Sequence, residues 1–336
     1  MGEVQYNLQF EKVSNLFQLG EVVGEPKAVS GGLLHKMYVV ETNSGKFAIK
    51  ALNPQIMSRP TAMRNFIKSE RIANLVAKTI PALPAKIIGG ESVQEIDNQF
   101  YLVFDWLEGI SLKPNEVKIE NCEKIGSILA GMHMMDSSVL GLEKNDLIKE
   151  KLIDFNYYLQ LGQNNKAVWT DLLKENIDNL YEWNASANHS IIKLASDLVI
   201  SHGDLEPKNV IWNFDNPVII DWESAGYINP MQDLVETAIY WAGDGKGNLD
   251  KDKFLAFING YKIKYGALQA NWKMVLDSGY LGKLGWLEYS LKRSLWIECT
   301  DEEQQQAGTS QVTGTINAII RYFNTTSEIE MWLSNV

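Results

Sequence analysis

Two short stretches of this 336-residue chain, 201–209 and 219–223, constrain its fold and its chemistry more than any other part of the sequence. The first reads Ser-His-Gly-Asp-Leu-Glu-Pro-Lys-Asn and the second Ile-Ile-Asp-Trp-Glu. The segment between them holds two short β-rich runs around a polar turn, which predicts a tight hairpin. Such a hairpin would bring Asp204, Asn209 and Asp221 close together.

These three side chains indicate phosphoryl transfer assisted by a metal ion. Two carboxylates and an amide oxygen are hard ligands, which suit Mg²⁺ and do not suit zinc. Protein-bound Mg²⁺ usually keeps several waters and gains ligands from substrate phosphates. The alternative is a hairpin that carries two unrelated surface acids, and the residues alone leave it open.

The pattern His-Gly-Asp-x-x-x-x-Asn with Ile-Asp-Trp-Glu resembles the aminoglycoside phosphotransferase/choline kinase family, which is the small-molecule branch of the protein-kinase-like fold. Protein kinases carry His-Arg-Asp in this loop and Asp-Phe-Gly after it. Here Gly203 replaces the arginine, and Trp222 and Glu223 replace Phe-Gly. Both departures favour the small-molecule branch and argue against control by activation-loop phosphorylation.

The resemblance implies a role for each residue of the cluster. Asp204 would accept the proton of the substrate hydroxyl, a form of general base catalysis that usually contributes about 10²- to 10⁴-fold. Asn209 and Asp221 would hold Mg²⁺ against the nucleotide phosphates. The implied cofactors are ATP (or GTP) and Mg²⁺.

The family resemblance also assigns nucleotide-binding residues in the first third of the chain. Lys50, within Phe-Ala-Ile-Lys, resembles the strand lysine that contacts the α- and β-phosphates, and Glu70 would be its partner on the following helix. A lysine between apolar residues on a strand could instead face solvent. The loop over the phosphates would be Ser30, Gly31 and Gly32, although two glycines often form only a turn.

The expected fold is α+β and two-lobed, with a small antiparallel sheet in the N-lobe and a mainly helical C-lobe. The domains are predicted at 1–106 for the nucleotide-binding N-lobe and 107–336 for the C-lobe. Residues 102–109 resemble the connector between the lobes in this family, where the backbone of Asp105 and Leu107 would hydrogen-bond the adenine edge. Strands are also expected near 85–89 and 99–106.

Composition excludes several other classes of protein. The formal net charge of −11 disfavours a nucleic-acid binder, because phosphate contacts need clustered lysine and arginine. Two cysteines and four scattered histidines disfavour a disulfide scaffold and a zinc site. No apolar run is long enough to span a membrane and no signal peptide is recognisable, so we expect a cytoplasmic protein without a membrane partner.

The acceptor is predicted from charge. Residues 107–336 hold 20 Lys+Arg against 32 Asp+Glu, which favours a cationic small molecule, although a solvated acidic surface would give the same count. The candidate acceptor-binding residues are Glu223, Asp233, Glu236, Trp296 and Glu298. Asp233 could instead hold the loop 202–209, here called the catalytic loop, in place, and Trp296 could pack in the core.

The predicted activity is therefore that of a phosphotransferase with an alcohol group as acceptor. The first expectation is an aminoglycoside-type antibiotic as substrate, and hence a role in antibiotic resistance. The alternative is a metabolic kinase for choline, ethanolamine, homoserine or a sugar. A catalytically silent nucleotide-binding protein is a further alternative, which the presence of Asp204, Asp221 and Lys50 disfavours. The sequence does not indicate the oligomeric state.

Overall fold

The computed structural model describes residues 6–29, 34–141, 150–299 and 301–336. In chain order its helices and strands are α1 Phe10–Phe17, β1 Lys27–Val29, β2 Lys36–Thr42, β3 Gly45–Ala51, α2 Pro54–Met57, α3 Ala62–Val76, β4 Gln94–Ile96, β5 Gln99–Asp105, β6 Ile110–Ser111 and α4 Ile119–His133. They continue as α5 Phe155–Asn164, α6 Thr170–Leu194, β7 Val199–Ser201, β8 Val210–Asn213, β9 Asn216–Ile219, β10 Gly226–Ile228, α7 Pro230–Ala242, α8 Lys251–Tyr265, α9 Trp272–Ser278, α10 Tyr280–Ser294 and α11 Glu302–Leu333.

A five-stranded antiparallel sheet of order β1-β2-β3-β5-β4 forms the first third of the molecule. Its two faces are covered by different elements. Val40, Ile49 and Val103 pack with the side chains of α1, whereas Phe66 of α3 packs with Phe104 and neighbours on the other side. The two-lobed α+β fold expected from the sequence is confirmed, and the boundary between residues 106 and 107 stays a prediction.

The predicted strand near 85–89 is wrong. This segment takes part in one isolated bridge, between Ile88 and Glu91, and the strand that pairs with β5 on the side away from β3 is Gln94–Ile96. Pro81 and Pro84 stand just before it, and proline cannot donate to a ladder. The segment still lies beside β5, because Lys86 N donates to the carbonyl oxygen of Val103.

The remainder is mainly helical, as expected, with two small sheets set into it. The central helices α4 and α8 approach closely through Gly126 and Gly260: a Cβ on either residue would lie 2.2 Å or less from a backbone oxygen of the other helix. Helices α5, α6, α10 and α11 enclose a second apolar core. Among the described residues, no helix is both long enough and apolar enough to cross a membrane.

The small sheets carry the sequence motif. The strand β7 pairs with β10, and the hairpin β8–β9 pairs with β6. The loop 202–209 connects β7 to β8, and Asp221 lies two residues after the end of β9. The predicted hairpin is confirmed, and it places both halves of the motif at one end of the sheet.

Candidate active site

The loop 202–209 is held in place by a buried histidine. His202 Nε2 lies 2.9 Å from the carbonyl oxygen of Ile220, and its Nδ1 accepts from the backbone N–H of Asp204 at 3.2 Å. Burial lowers the pKa of His202, so the ring is neutral and the proton resides on Nε2. The imidazole therefore links the two halves of the motif.

Gly203 explains one departure from the protein-kinase pattern. Its φ is +75°, and a Cβ at this position would lie 2.5 Å from the carbonyl oxygen of Ser224. A side chain would be strained by the left-handed backbone and would also collide with that oxygen. The loop in this chain therefore has no space for the arginine of protein kinases.

Asp204 is fixed by its own loop. Asn209 Nδ2 donates to Asp204 Oδ2 at 2.9 Å and to its carbonyl oxygen at 2.7 Å, while Lys208 Nζ lies 3.6 Å from Asp204 Oδ2. The Asp204 side chain is one-third exposed, so a bound molecule can reach it. A positioned, accessible carboxylate of this kind is suited to accept a proton from a hydroxyl.

Asp221 lies in strained backbone beside the loop. Its φ is +62°, a conformation that a non-glycine residue adopts at a cost of about 1 to 3 kcal/mol and mostly at functional positions. The side chain accepts from Lys50 Nζ at 2.7 Å. Burial alone would raise the pKa of Asp221, but the ammonium of Lys50 outweighs burial and lowers that pKa. Asp221 is therefore ionised at neutral pH.

Lys50 is buried on β3 between two carboxylates. Its Nζ lies 2.7 Å from Asp221 Oδ1 and 2.6 Å from Glu223 Oε2. Burial disfavours the charged amine, but both carboxylates compensate, so the net direction of the Lys50 pKa is upward. The lysine thus points into the site and not to solvent.

The ion pair predicted between Lys50 and Glu70 is not formed among the described residues. Glu70 is buried on α3, and its Oε2 accepts from the backbone N–H of Ala85 at 2.8 Å. Burial raises the pKa of Glu70 to about 7, against the opposing effects of Ala85 N–H and Lys50. Glu223, two residues after Asp221, pairs with the lysine instead, because its Oε2 lies 2.6 Å from Lys50 Nζ.

The donor set fits a hard divalent cation. The backbone N–H of Ile220, the residue directly before Asp221, donates to the carbonyl oxygen of Asn209 at 2.9 Å. This hydrogen bond holds Asn209 and Asp221 near each other. The Asn209 amide uses its nitrogen for Asp204, which leaves Oδ1 available as an oxygen ligand. Within the described residues no group of three or more His, Cys, Asp or Glu side chains is arranged to hold a metal. A carboxylate and an amide match an ion that takes its other ligands from phosphates and water.

The connector residues Asp105 and Leu107 lie at the end of β5 and just after it. The backbone N–H of Trp106 donates to the carbonyl oxygen of Lys46, on the side of β3. The carbonyl oxygen of Val103 accepts from the backbone N–H of Lys86, on the opposite side of β5. Peptide groups alternate along a strand, so the carbonyl of Asp105 points the same way as that of Val103, away from β3. The peptide N–H of Leu107 donates no hydrogen bond within the described residues.

The predicted phosphate loop, Ser30, Gly31 and Gly32, lies outside the described residues. Its role stays a prediction. In the sequence, the segment falls between Val29, the last residue of β1, and Leu34, which precedes β2.

Three of the predicted acceptor residues already have partners within the protein. Glu223 pairs with Lys50. Asp233 is buried, contacts His133 at 2.9 Å and accepts from Ser201 Oγ at 2.6 Å. Glu298 lies 3.2 Å from Lys292 and 3.7 Å from Arg59.

The remaining two candidates have different environments. Trp296 is exposed and adopts a positive φ of 61°. Burial raises the pKa of Glu236 to about 7, although the ammonium of Lys283 opposes this effect. None of the five candidates is placed against Asp204 by a contact in this structure.

His133, Ser201 and Asp233 form a buried cluster, of which the sequence analysis singled out only Asp233. His133 makes two hydrogen bonds, with Asp233 Oδ2 and with Tyr261 Oη, each 2.9 Å long. The alternative interpretation of Asp233, as a tie on the catalytic loop, agrees with this geometry. The serine directly before the His-Gly-Asp motif was the signal that could have identified the cluster.

A cavity of about 520 Å³ adjoins the catalytic loop. Its wall includes Glu206 and Lys208 of the loop and Tyr240 of α7. Burial and then the carboxylates of Glu236 and Glu206, with a contribution from Asp204, raise the pKa of Tyr240. The sequence analysis did not single out the loop residues Glu206 and Lys208, although they stand two and four positions after Asp204.

Comparisons with known proteins identify a matching family and solved structures with a similar fold. The family described as phosphotransferase enzyme family (APH) matches residues 25–268. The fold is similar to that of a spectinomycin phosphotransferase solved with ADP and spectinomycin, with a TM-score of 0.68, 12% identity, and coverage of 95% of this chain and 99% of that chain.

Two further solved structures share the fold. An aminoglycoside phosphotransferase from Alicyclobacillus acidocaldarius has a TM-score of 0.57, 15% identity, and coverage of 99% of this chain and 98% of that chain. A Plasmodium vivax ethanolamine kinase has a TM-score of 0.53, 15% identity, and coverage of 87% and 82%. No curated protein matches the sequence significantly.

Proposed function

This chain belongs to the phosphotransferase enzyme family, and we propose that it transfers the γ-phosphoryl group of ATP (or GTP) to a hydroxyl of a cationic small molecule. The enzyme class expected from the sequence, a phosphotransferase with an alcohol group as acceptor, is confirmed by the family. The single observation that carries the rest is the convergence of Asp204, Asn209, Asp221 and Lys50 at one end of the small sheet.

The protein's own groups account for the proton and for the nucleotide. In the transfer the acceptor oxygen bonds to the γ-phosphorus while the bond from that phosphorus to the β–γ bridging oxygen breaks, and ADP leaves. Asp204 receives the hydroxyl proton, and Asn209 holds the carboxylate in place through its Nδ2. Lys50, fixed by Asp221 and Glu223, offers its ammonium to the α- and β-phosphates.

Asn209 and Asp221 are the residues that would hold Mg²⁺. When bound, the ion would neutralise charge on the β- and γ-phosphates. The proposal gains support from solved relatives of this fold with ADP, with GDP, and with AMP-PNP and Ca²⁺. The adenine edge would be read by the Asp105 carbonyl and the Leu107 N–H.

A cationic acceptor is supported by the excess of acidic residues in 107–336, 32 Asp+Glu against 20 Lys+Arg, and by the carboxylates around Tyr240 in the cavity beside the catalytic loop. Four carboxylates, those of Glu236, Glu206, Asp204 and Asp233, raise the pKa of Tyr240. Lys208 on the same wall is balanced by Glu206 at 3.2 Å and Asp204 at 3.6 Å, while Lys283 and Arg321 also line the cavity. A negative potential concentrates positively charged ligands. We therefore propose an aminoglycoside-type antibiotic as acceptor, with a resulting role in antibiotic resistance and, as expected from the sequence, in the cytoplasm.

Structures of the same fold are solved with spectinomycin and with kanamycin. The test is Mg·ATP-dependent ADP release against aminoglycosides, macrolides, choline, ethanolamine, homoserine and methylthioribose, with the Asp204→Asn variant as the matched control. Turnover of aminoglycosides alone, absent in the variant, supports the proposal. Turnover of choline or homoserine alone makes the protein a metabolic kinase.

Nucleotide binding without turnover of any acceptor would favour the silent nucleotide-binding alternative. A bacterial readout is independent of the purified enzyme. A susceptible strain that expresses the gene should become resistant to the antibiotic that is turned over, and a strain with Asp204→Asn should stay susceptible.

A further inference from the structure

A second cavity, of about 560 Å³, lies between the N-terminal sheet region and the helices α10 and α11. Its wall includes Gln55 and Arg59, which follow β3, together with Tyr289, Arg293 and Glu298 from the end of the chain. It shares no lining residue with the cavity beside the catalytic loop. Its volume is that of an ordinary small-molecule site.

The guanidinium of Arg293 has an unused donor. Its Nη1 donates to Gln311 Oε1 at 3.3 Å, and the group lies 5.5 Å from the ring centre of Tyr289. Its Nε is buried and has no hydrogen-bond partner among the described residues. Buried donors without partners are rare in native proteins, and each one calls for an explanation.

Arg59 faces the same cavity from the opposite lobe. Its nearest carboxylate is Glu298 at 3.7 Å, which is longer than a hydrogen bond, and Glu298 lies closer to Lys292 at 3.2 Å. Among the described residues, the charged side chains that line the cavity are those of Arg59, Arg293 and Glu298. This cavity is net positive in a chain whose formal charge is −11.

We propose that this interlobe cavity binds the oxyanion of a small organic molecule, a phosphate monoester or a carboxylate, between Arg59 and Arg293. Guanidinium groups present forked N–H donors that match the geometry of both anions. Such a ligand would accept from both guanidinium groups and would connect the two lobes. The site is independent of the phosphotransferase reaction proposed above.

The competing occupant is a cation held by Glu298, as the sequence analysis expected for the acceptor. The two alternatives predict opposite effects for the same substitutions. If an oxyanion binds, Arg59→Gln weakens binding and Glu298→Gln strengthens it. If a cation binds, Glu298→Gln weakens binding and Arg59→Gln strengthens it.

The experiment is isothermal titration of the full chain with glycerol 3-phosphate and, separately, citrate, at fixed ionic strength. Saturating Mg·ADP keeps the probes away from Lys50. The control variant is Arg71→Gln, because Arg71 is an exposed arginine on α3 that lines a different cavity. Loss of a charge-assisted hydrogen bond should weaken binding of at least one probe about tenfold in Arg59→Gln, with no change in Arg71→Gln.

Arg293→Lys tests the guanidinium geometry, since it keeps the charge and removes the forked donors. It should also weaken binding, with an unfolding temperature close to that of the wild type. Preference for glycerol 3-phosphate or for citrate distinguishes the two oxyanions. Absence of binding of either probe to the wild type, equal affinity in Arg59→Gln, or stronger binding in that variant would each overturn the inference.

Discussion

Glu70 should make the protein less stable as the pH rises, and Glu70→Gln should remove that effect. Burial is the largest cause of its raised pKa, from an ordinary 4.5 to about 7. The folded protein therefore retains a proton at Glu70 that the unfolded chain loses between pH 4.5 and 7. Stability is lost across this window because the folded state binds more protons. At about 1.4 kcal/mol per unit, the full loss is about 3 kcal/mol above pH 7.

The variant keeps the native hydrogen bond, since the glutamine amide oxygen can accept from Ala85 N–H as Glu70 Oε2 does at 2.8 Å. Chemical denaturation at pH 5 and pH 8 provides the measurement. We expect the two proteins to be similar at pH 5 and the variant to be about 3 kcal/mol more stable at pH 8. Other groups that titrate in this range are common to both proteins and cancel in the difference.

The same variant separates the two possible partners of Lys50. Because the ammonium contacts Glu223 at 2.6 Å, Glu70→Gln should leave the KM for ATP within about threefold of the wild type, whereas Glu223→Gln should raise it by about tenfold, the worth of one charge-assisted hydrogen bond. A variant Glu70→Gln that is less stable than the wild type at pH 8 would refute the reasoning. It would mean that Glu70 is ionised and paired in the folded protein.

Other perturbations have equally defined outcomes. Asp204→Asn should lower kcat by at least about 10²-fold with little change in nucleotide affinity, measured by ADP release and by nucleotide titration; undiminished turnover would contradict its role as base. Gly203→Ala should cost about 2 kcal/mol or more in unfolding free energy through the positive φ and the Ser224 carbonyl, and a neutral effect would mean that the loop relaxes freely. Asp233→Asn leaves the buried cluster with His133 incomplete and should destabilise the protein by about 3 kcal/mol in the same denaturation assay, whereas an unchanged midpoint would argue against a tie on the catalytic loop.

Much of the fold could be predicted because its elements depend on local patterns. The two β-rich runs around a polar turn, which lie between the two halves of the motif, reappear as the hairpin β8–β9. The strand that was wrongly predicted near 85–89 shows the limit of prediction from local patterns. The segment 85–89 has a β-rich composition, but the prolines before it and the contact of Lys86 with β5 decide that it runs beside the sheet without forming a ladder.

The proximity of the candidate site residues could be predicted where spacing along the chain controls the geometry. The contact between Asn209 and Asp204 spans five residues of one loop, so the motif already implies it. The partner of Lys50 was not predictable in this way. The choice between Glu70 and Glu223 depends on which carboxylate the folded cleft brings within reach, and Glu223 lies 173 residues from the lysine.

By itself the sequence determined which groups are the candidates for the chemistry, since Asp204, Asn209 and Asp221 form one motif whose residue types suit phosphoryl transfer. Only the tertiary structure decided how those groups are charged and what surrounds them. The neutral state of His202 and the raised pKa of Glu70 both result from burial, which is a property of the packed chain. The two cavities likewise arise from residues far apart in the sequence, because their walls join loops and helices that only folding brings together.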